Sequence, residues 1–91
     1  MEEEIVTWLR ETLVNKCFKL MEPEMIWYNS SHCTSVQIDN NDNLIIGRPT
    51  DNVYTVFDLN DTDITKESIL EEINYYIRYY INKNFQNFKK L

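Results

Sequence analysis

His32 and Cys33 are the residues whose types could supply a general base and a nucleophile, because an imidazole can accept the proton of a thiol. They are neighbours in sequence, and adjacent residues of an extended chain point to opposite faces. The second cysteine, Cys17, falls in the apolar stripe of a predicted helix, where a thiol is an inert core group. The sequence therefore predicts no catalytic residue. A small hydrolase or transferase that uses His32 stays as an alternative.

Metal-binding patterns are also incomplete. Asp39, Asn41 and Asn43 have the spacing of the first ligands of a calcium loop, but Leu44 stands where such a loop requires glycine, and no glutamate closes it. Two cysteines and one histidine at these spacings are too few for a zinc site. Gly47 is the only glycine, which excludes a glycine-rich phosphate loop. The sequence thus predicts no metal and no cofactor.

The charge distribution carries more information than the catalytic candidates. The formal net charge is −6 over 91 residues, and residues 39–72 hold most of the acids but only two bases, Arg48 and Lys66. Such a chain repels nucleic acid and anionic membranes, so direct binding to either is not expected. The balance favours a basic protein partner, such as the groove of a nucleic-acid-binding protein. The plainer alternative is that the acids only keep a small protein soluble.

The elements that must position these acids follow from hydrophobic periodicity. The pattern predicts an N-terminal helix over residues 2–21, stopped by Pro23, and a long C-terminal helix that has Thr65 as its N-cap and runs to Leu91. Between the helices, alternating residues predict short strands over residues 25–28, 34–39, 44–48 and 53–59. Asn and Asp residues at 40–43 and 60–63 predict turns.

Short turns between neighbouring strands require antiparallel pairing. The sequence predicts a single α+β domain over residues 1–91, a meander of three or four strands with both helices on one face. The opposite face is too apolar to be only solvated, which indicates a docking face or a homodimer surface. Its predicted members are Ser35, Gln37, Ile45, Tyr54, Val56 and Asp58.

Two sets of residues are candidates for partner binding. In a meander, the turn 40–43 and the loop 60–63 lie at the same end of the sheet, so their carboxylates share one edge and could occupy the positions of phosphates in a partner's groove. These carboxylates are Asp39, Asp42, Asp58, Asp61, Asp63 and Glu67. The second set is Tyr75 and Tyr79, one helical turn apart on the predicted outer face, because tyrosine is favoured at interface hot spots.

The origin and location of the protein are also open to prediction. Two cysteines, no signal peptide and no membrane-length apolar run predict a soluble cytoplasmic protein of the producing or infected cell. The chain has no alanine and one glycine but many Asn, Ile, Lys and Tyr residues, which indicates an AT-rich genome. In size, acidity and order of elements it resembles phage-encoded inhibitors that mimic nucleic acid, including some anti-CRISPR proteins, without a shared sequence motif.

These observations favour a small acidic, non-enzymatic inhibitor encoded by a phage or mobile element. It would block a basic nucleic-acid-binding surface of a host protein by charge mimicry. The alternative is a toxin-neutralising immunity protein, or a small adaptor, that docks through its aromatic faces.

Overall fold

A computed structural model of the protein describes residues 2–79, with side chains described for residues 4–78. It contains two α-helices and five strands, with a 3₁₀ turn at Pro49–Asp51 and a π-helical segment at Tyr75–Tyr79. In chain order the elements are α1 (Glu2–Asn15), β1 (Lys19–Met21), β2 (Ile26–Asn29), β3 (Thr34–Ile38), β4 (Asn43–Arg48), β5 (Val53–Asp58) and α2 (Lys66–Asn74). The predicted continuation of the last helix over residues 80–91 lies outside the described residues.

The five strands form one antiparallel sheet in the order β1-β2-β3-β4-β5, so the fold is α+β. The predicted count of three or four strands is wrong, because the predicted first helix extends through Met21 and so includes the residues of β1. Its three residues pair with β2, with Lys19 opposite Tyr28 and Met21 opposite Ile26. The positions of the other four strands agree with the prediction to within one or two residues.

The first helix ends at Asn15, six residues before its predicted end, and Cys17 causes the break. Cys17 adopts the left-handed conformation, with φ of 67°. The backbone N–H of Phe18 then donates to Leu13 O at 3.0 Å, and that of Cys17 donates to Val14 O at 3.1 Å. These two bonds are the pattern of a Schellman helix end, in which glycine usually takes the left-handed position. Cys17 is therefore exposed, and its predicted place in the core is wrong.

The core lies between the helices and one face of the sheet. Leu9 and Leu13 of α1, Ile69 and Ile73 of α2, and Ile46 of β4 are fully buried and belong to one apolar cluster. The other buried apolar members are Ile5, Phe18, Trp27, Val36, Leu44, Leu59 and Tyr76. Every strand residue among them points to the same sheet face, since side chains alternate along a strand. The opposite face receives no described helix.

The start of α2 confirms the predicted N-cap at Thr65. The backbone N–H of Ser68 donates to Thr65 Oγ1 at 3.1 Å, and the Thr65 N–H donates to Ser68 Oγ at 3.3 Å, a reciprocal capping box. Ile64, just before the cap, packs against the core cluster that contains Ile69. No helix among residues 2–79 has the length and apolar character needed to cross a membrane.

Candidate protein-binding surface

Three connections meet at one end of the sheet. They are the β1–β2 turn (residues 22–25), the β3–β4 turn (residues 39–42) and the β5–α2 loop (residues 59–65). Pairing of Ile26 with Gln37 places the β1–β2 turn beside the β3–β4 turn. Pairing of Asn43 with Asp58 places the β3–β4 turn beside the β5–α2 loop. The backbone N–H of Leu59 also donates to Asp42 O at 2.9 Å. The meander therefore fixes the relative positions of all three.

These connections and the first turn of α2 carry a concentration of carboxylates. We call this surface the acidic end, which comprises Glu22, Glu24, Asp39, Asp42, Asp58, Asp61, Asp63 and Glu67. Six of the eight are the carboxylates selected from the sequence. The prediction omits Glu22 and Glu24, because its first helix includes residues 19–21 and the turn after them then has no place in the sheet. The pairing of Met21 with Ile26 puts that turn at this end.

Asp39 organises the β3–β4 turn with its side chain. Its Oδ1 accepts hydrogen bonds from the backbone N–H groups of Asn41 and Asn43, both at 2.9 Å, and its Oδ2 accepts one from Asn43 Nδ2 at 3.2 Å. These bonds favour the charged form, and the one from the Asn43 backbone contributes most to lowering the pKa of the carboxyl. Asp39 therefore keeps its charge to a lower pH than an ordinary aspartate.

Asp58 and Asp61 each use one carboxylate oxygen to close their own loop. Asp58 Oδ1 accepts from the Asn60 N–H at 3.0 Å, and Asp61 Oδ1 accepts from the Asp63 N–H at 2.9 Å. Side chains that bond the backbone two residues ahead are typical of Asx turns. Both side chains are exposed, and their second oxygens make no hydrogen bond to the described residues. Each carboxylate is thus held in place while one oxygen faces solvent.

Little of this charge is neutralised within the described part of the chain. Of the ion pairs among described residues, one involves the acidic end, between Arg10 and Glu22 at 3.4 Å. Both side chains are about half exposed, at 47% and 60%, so the pair contributes little. Lys66 lies at the start of α2 but is 3.7 Å from Glu4 of α1. The acidic end therefore presents a surplus of carboxylates.

A recess of about 300 Å³ opens within the acidic end. It lies between the β1–β2 and β3–β4 turns, and Glu24 and Asp39 are among its lining residues. The rest of the lining is mainly apolar and comprises Val6, Pro23, Met25, Ile38 and Asn40. Apolar side chains beside two carboxylates suit an arginine or lysine side chain, whose aliphatic stem packs while its charged head pairs.

The opposite end of the sheet carries four of the six described bases, together with Asp51. We call it the basic end, which comprises Lys16, Lys19, Arg48 and Arg78. Asn29 at the end of β2 donates to Lys16 O at 2.9 Å, and Lys16 Nζ donates to Asn74 Oδ1 at 2.9 Å, which brings the ends of both helices here. The Glu4–Lys66 pair brings the helix starts together at the other end. Charge is therefore separated along the strand direction.

Tyr75, the first member of the predicted tyrosine pair, does not lie on a solvent-exposed outer face. Tyr75 is half-buried against the core, and its ring meets that of Tyr76 edge-on, with centroids 5.3 Å apart. The backbone from Tyr75 to Tyr79 is π-helical, which changes the spacing on which the prediction relied. The side chain of Tyr79 lies outside the described residues. The tyrosines also belong to the end of the molecule opposite the acidic end.

The sheet face turned away from the helices carries two rows of side chains, which we call the open face. The first row crosses all five strands as Lys19, Tyr28, Ser35, Gly47 and Tyr54. The second crosses them as Met21, Ile26, Gln37, Ile45 and Val56. Met21, Tyr54 and Val56 are among the most exposed large apolar residues, at 52%, 45% and 58%. The predicted members of this face lie on it.

The groups that could support catalysis are spread over the basic end. His32 and Cys33 lie in the β2–β3 turn, where the His32 backbone N–H donates to Asn29 Oδ1 at 3.1 Å. A hydrogen bond with Cys33, assisted by burial, raises the pKa of the Tyr28 hydroxyl. Within residues 2–79, no three His, Cys, Asp or Glu side chains are placed to hold a metal ion.

Comparisons of the chain with protein-family models, with curated proteins and with solved structures found no match. The functional argument therefore depends on the surfaces described above.

Proposed function

We propose that the protein is a non-enzymatic inhibitor that binds a basic, nucleic-acid-binding surface of another protein through its acidic end. The observation that supports this proposal is the group of eight carboxylates at the acidic end, six of them exposed, which the described lysines and arginines leave largely unpaired. Carboxylates on a rigid edge can occupy the positions of successive phosphates and pair with Arg and Lys residues.

The local hydrogen bonds support the same proposal. Asp39, Asp58 and Asp61 are oriented by bonds to backbone N–H groups of their own loops. A partner therefore meets charges that are already positioned, so less side-chain entropy is lost on binding. The recess beside Glu24 and Asp39 adds a site for one cationic side chain.

The composition and the element order extend the proposal to an origin. The protein is an anti-defence inhibitor of a phage or mobile element, of the anti-CRISPR type, acting in the cytoplasm of the infected or producing cell. Its partner is a basic DNA- or RNA-processing protein of the host.

The test compares two variants with the same change in net charge. Asp63→Lys combined with Glu24→Lys alters two connections of the acidic end, where neither side chain makes a hydrogen bond or ion pair with described residues. Glu11→Lys combined with Glu71→Lys alters two exposed helix positions elsewhere. The immobilised chain captures proteins from a nuclease-treated lysate of a low-GC bacterium, and each captured protein is identified and assayed for nucleic-acid binding.

We expect the wild-type chain and the helix variant to release captured nucleic-acid-binding proteins from a labelled DNA or RNA probe. The acidic-end variant should bind them more than tenfold more weakly, a loss of about 1.4 kcal/mol or more. Binding should also fall steeply with salt, since exposed charges are screened beyond about 8 Å at physiological ionic strength. Equal behaviour of the two variants, or capture that is indifferent to salt, would contradict the proposal.

The open face favours a second candidate function, an immunity protein or adaptor that docks through apolar and aromatic side chains. Its supporting observation is the exposure of Met21, Tyr54 and Val56. This candidate predicts weak salt dependence and loss of binding on Tyr54→Ala, with the acidic-end variant unaffected. The same capture assay separates the two.

A further inference from the structure

The two edge strands of the sheet differ in how well they are protected from pairing. β1 has three residues, carries Lys19, and is followed at once by Glu22 and Pro23. Short length, lysine and nearby proline are devices that discourage edge-to-edge pairing. β5 has six residues, Val53–Asp58, without lysine or proline, and no described strand pairs with its outer edge. Its backbone N–H and C=O groups on that edge are a template for another strand.

The side chains of β5 are held in one orientation. Thr55 faces the helix layer, where its Oγ1 donates to Glu72 Oε1 at 2.8 Å and lies 2.9 Å from the Tyr76 hydroxyl. Tyr54 and Val56 on either side therefore face away from the helices and are 45% and 58% exposed. A strand that is fixed in this way keeps one register against a partner strand.

We propose that two copies of the chain associate through their β5 strands, paired antiparallel about a two-fold axis at Thr55. The two five-stranded sheets then become one continuous sheet. In this register Thr55 lies opposite Thr55 of the second copy, and Tyr54 lies opposite Val56 of the second copy. Aromatic and β-branched residues on one face of an antiparallel pair stabilise each other. This inference does not rest on the proposed function.

Charge complementarity selects the second copy as the occupant and fixes its direction. The strands run between the acidic end and the basic end, so antiparallel pairing sets the acidic end of each copy beside the basic end of the other. Asp58 then lies opposite Asn52 of the second copy, in the turn where Asp51 is paired with Arg48 of its own chain at 3.1 Å. Parallel pairing would instead place two acidic ends side by side, where like charges repel.

The helix layer leaves room for this arrangement. α2 lies over both β4 and β5, because it packs on β4 and its Glu72 bonds Thr55 of β5. In the continuous sheet the two α2 helices are then two to three strand spacings apart, about 10–14 Å. Packed helices need about 8–10 Å between axes, so two α2 helices fit side by side.

The test measures the oligomeric state of the full chain by sedimentation velocity over concentrations up to about 1 mM, a range that covers weak association. We expect a concentration-dependent dimer for the wild-type chain. Val56→Lys places a lysine on the edge strand and should weaken association by at least about tenfold. Val14→Lys is the matched control, because Val14 is 68% exposed but lies on α1, and it should dimerise as the wild type does.

The register is tested by combining Val56→Lys with Tyr54→Glu, which places opposite charges against each other twice across the axis. This double variant should dimerise again, now with marked sensitivity to salt. A wild-type chain that stays monomeric would overturn the proposal, and so would a Val14→Lys variant that loses the dimer to the same extent as Val56→Lys. Failure of the double variant to regain the dimer, with its circular dichroism unchanged, would overturn the proposed register.

Discussion

The two ends of the sheet use their polar residues in different ways. At the basic end, Asn29 is 2% exposed and joins two turns, since its side chain donates to Lys16 O and accepts from the His32 N–H. Arg48 pairs with Asp51 at 3.1 Å, largely shielded from water. At the acidic end, Asp58 and Asp61 bond only the backbone of their own loop. Asn29 thus holds separate turns together at the basic end, whereas Asp58 and Asp61 leave charge available to a partner at the acidic end.

The largest effect on stability is expected for Gly47→Ala, in the half of the open face nearer the basic end. A Cβ at this position would collide with Val53 O and lie 2.8 Å from Tyr54 Cα, both backbone atoms of β5. Because backbone cannot move aside as a flexible side chain can, we expect unfolding free energy to fall by about 3 kcal/mol. Urea denaturation measures this free energy. Ser35→Ala, at the neighbouring position of the same row, is the control and should lower the unfolding free energy clearly less.

Asn29→Ala should have the next largest effect. It leaves the half-buried Lys16 carbonyl and His32 N–H without their partner, at a cost of about 2 kcal/mol in unfolding free energy. Asn60→Ala, an exposed asparagine in the β5–α2 loop, is the matched change near the acidic end. Thermal and urea denaturation of both variants measure the difference. Equal losses would show that the two ends do not differ in structural role.

Neutralising the acidic end should hardly change stability. In Asp58→Asn combined with Asp61→Asn, the amide oxygen can still accept the backbone bonds from Asn60 and Asp63. Two like charges are removed as well, so the unfolding free energy should stay within about 0.5 kcal/mol of the wild type. Denaturation at low and high salt checks this. A loss of several times that size would mean that these carboxylates hold the fold together.

The smallest effect concerns the titration of Asp39. Because hydrogen bonds lower its pKa in the folded state, its contribution to stability is fully present above the unfolded pKa and is lost as pH falls through the folded pKa. Asn43→Ala removes the donor Nδ2 and should move the Asp39 pKa part of the way back toward its ordinary value, as carboxyl NMR titration would show. Asn40→Ala should leave it unchanged.

Much of the sheet was predictable from the sequence, because its side chains alternate with period two. Val53 to Asp58 and Thr34 to Ile38 lie where the alternation places them. The start of α2 was also predictable, since Thr65 caps its first turn by local hydrogen bonds. The grouping of carboxylates on the β3–β4 turn and the β5–α2 loop was predictable from the meander, because every second connection of a meander lies at the same end of the sheet.

The end of α1 was not predictable from periodicity. Cys17 and Leu20 continue the apolar stripe at helical spacing, and no glycine or proline marks the break. The left-handed residue is a cysteine, so the usual signal of a Schellman end is missing. Because the predicted helix extends to residue 21, the predicted sheet lacks β1, and the predicted acidic end lacks Glu22 and Glu24. The π-helical segment after Asn74 has no sequence signal we can name, and it places Tyr75 against the core.

The shortage of glycine has a consequence for engineering the protein. Among residues 2–79, five left-handed positions are taken by residues other than glycine, namely Cys17, Met25, Cys33, Asp42 and Asn52. Each is a place where a side chain tolerates a conformation that glycine adopts without steric cost. Glycine at such a position should raise the unfolding free energy by about 1 kcal/mol, and the exposed turns outside the proposed contact surface are the places for this change. Cys17→Gly is the first to make, since it also removes a solvent-exposed thiol.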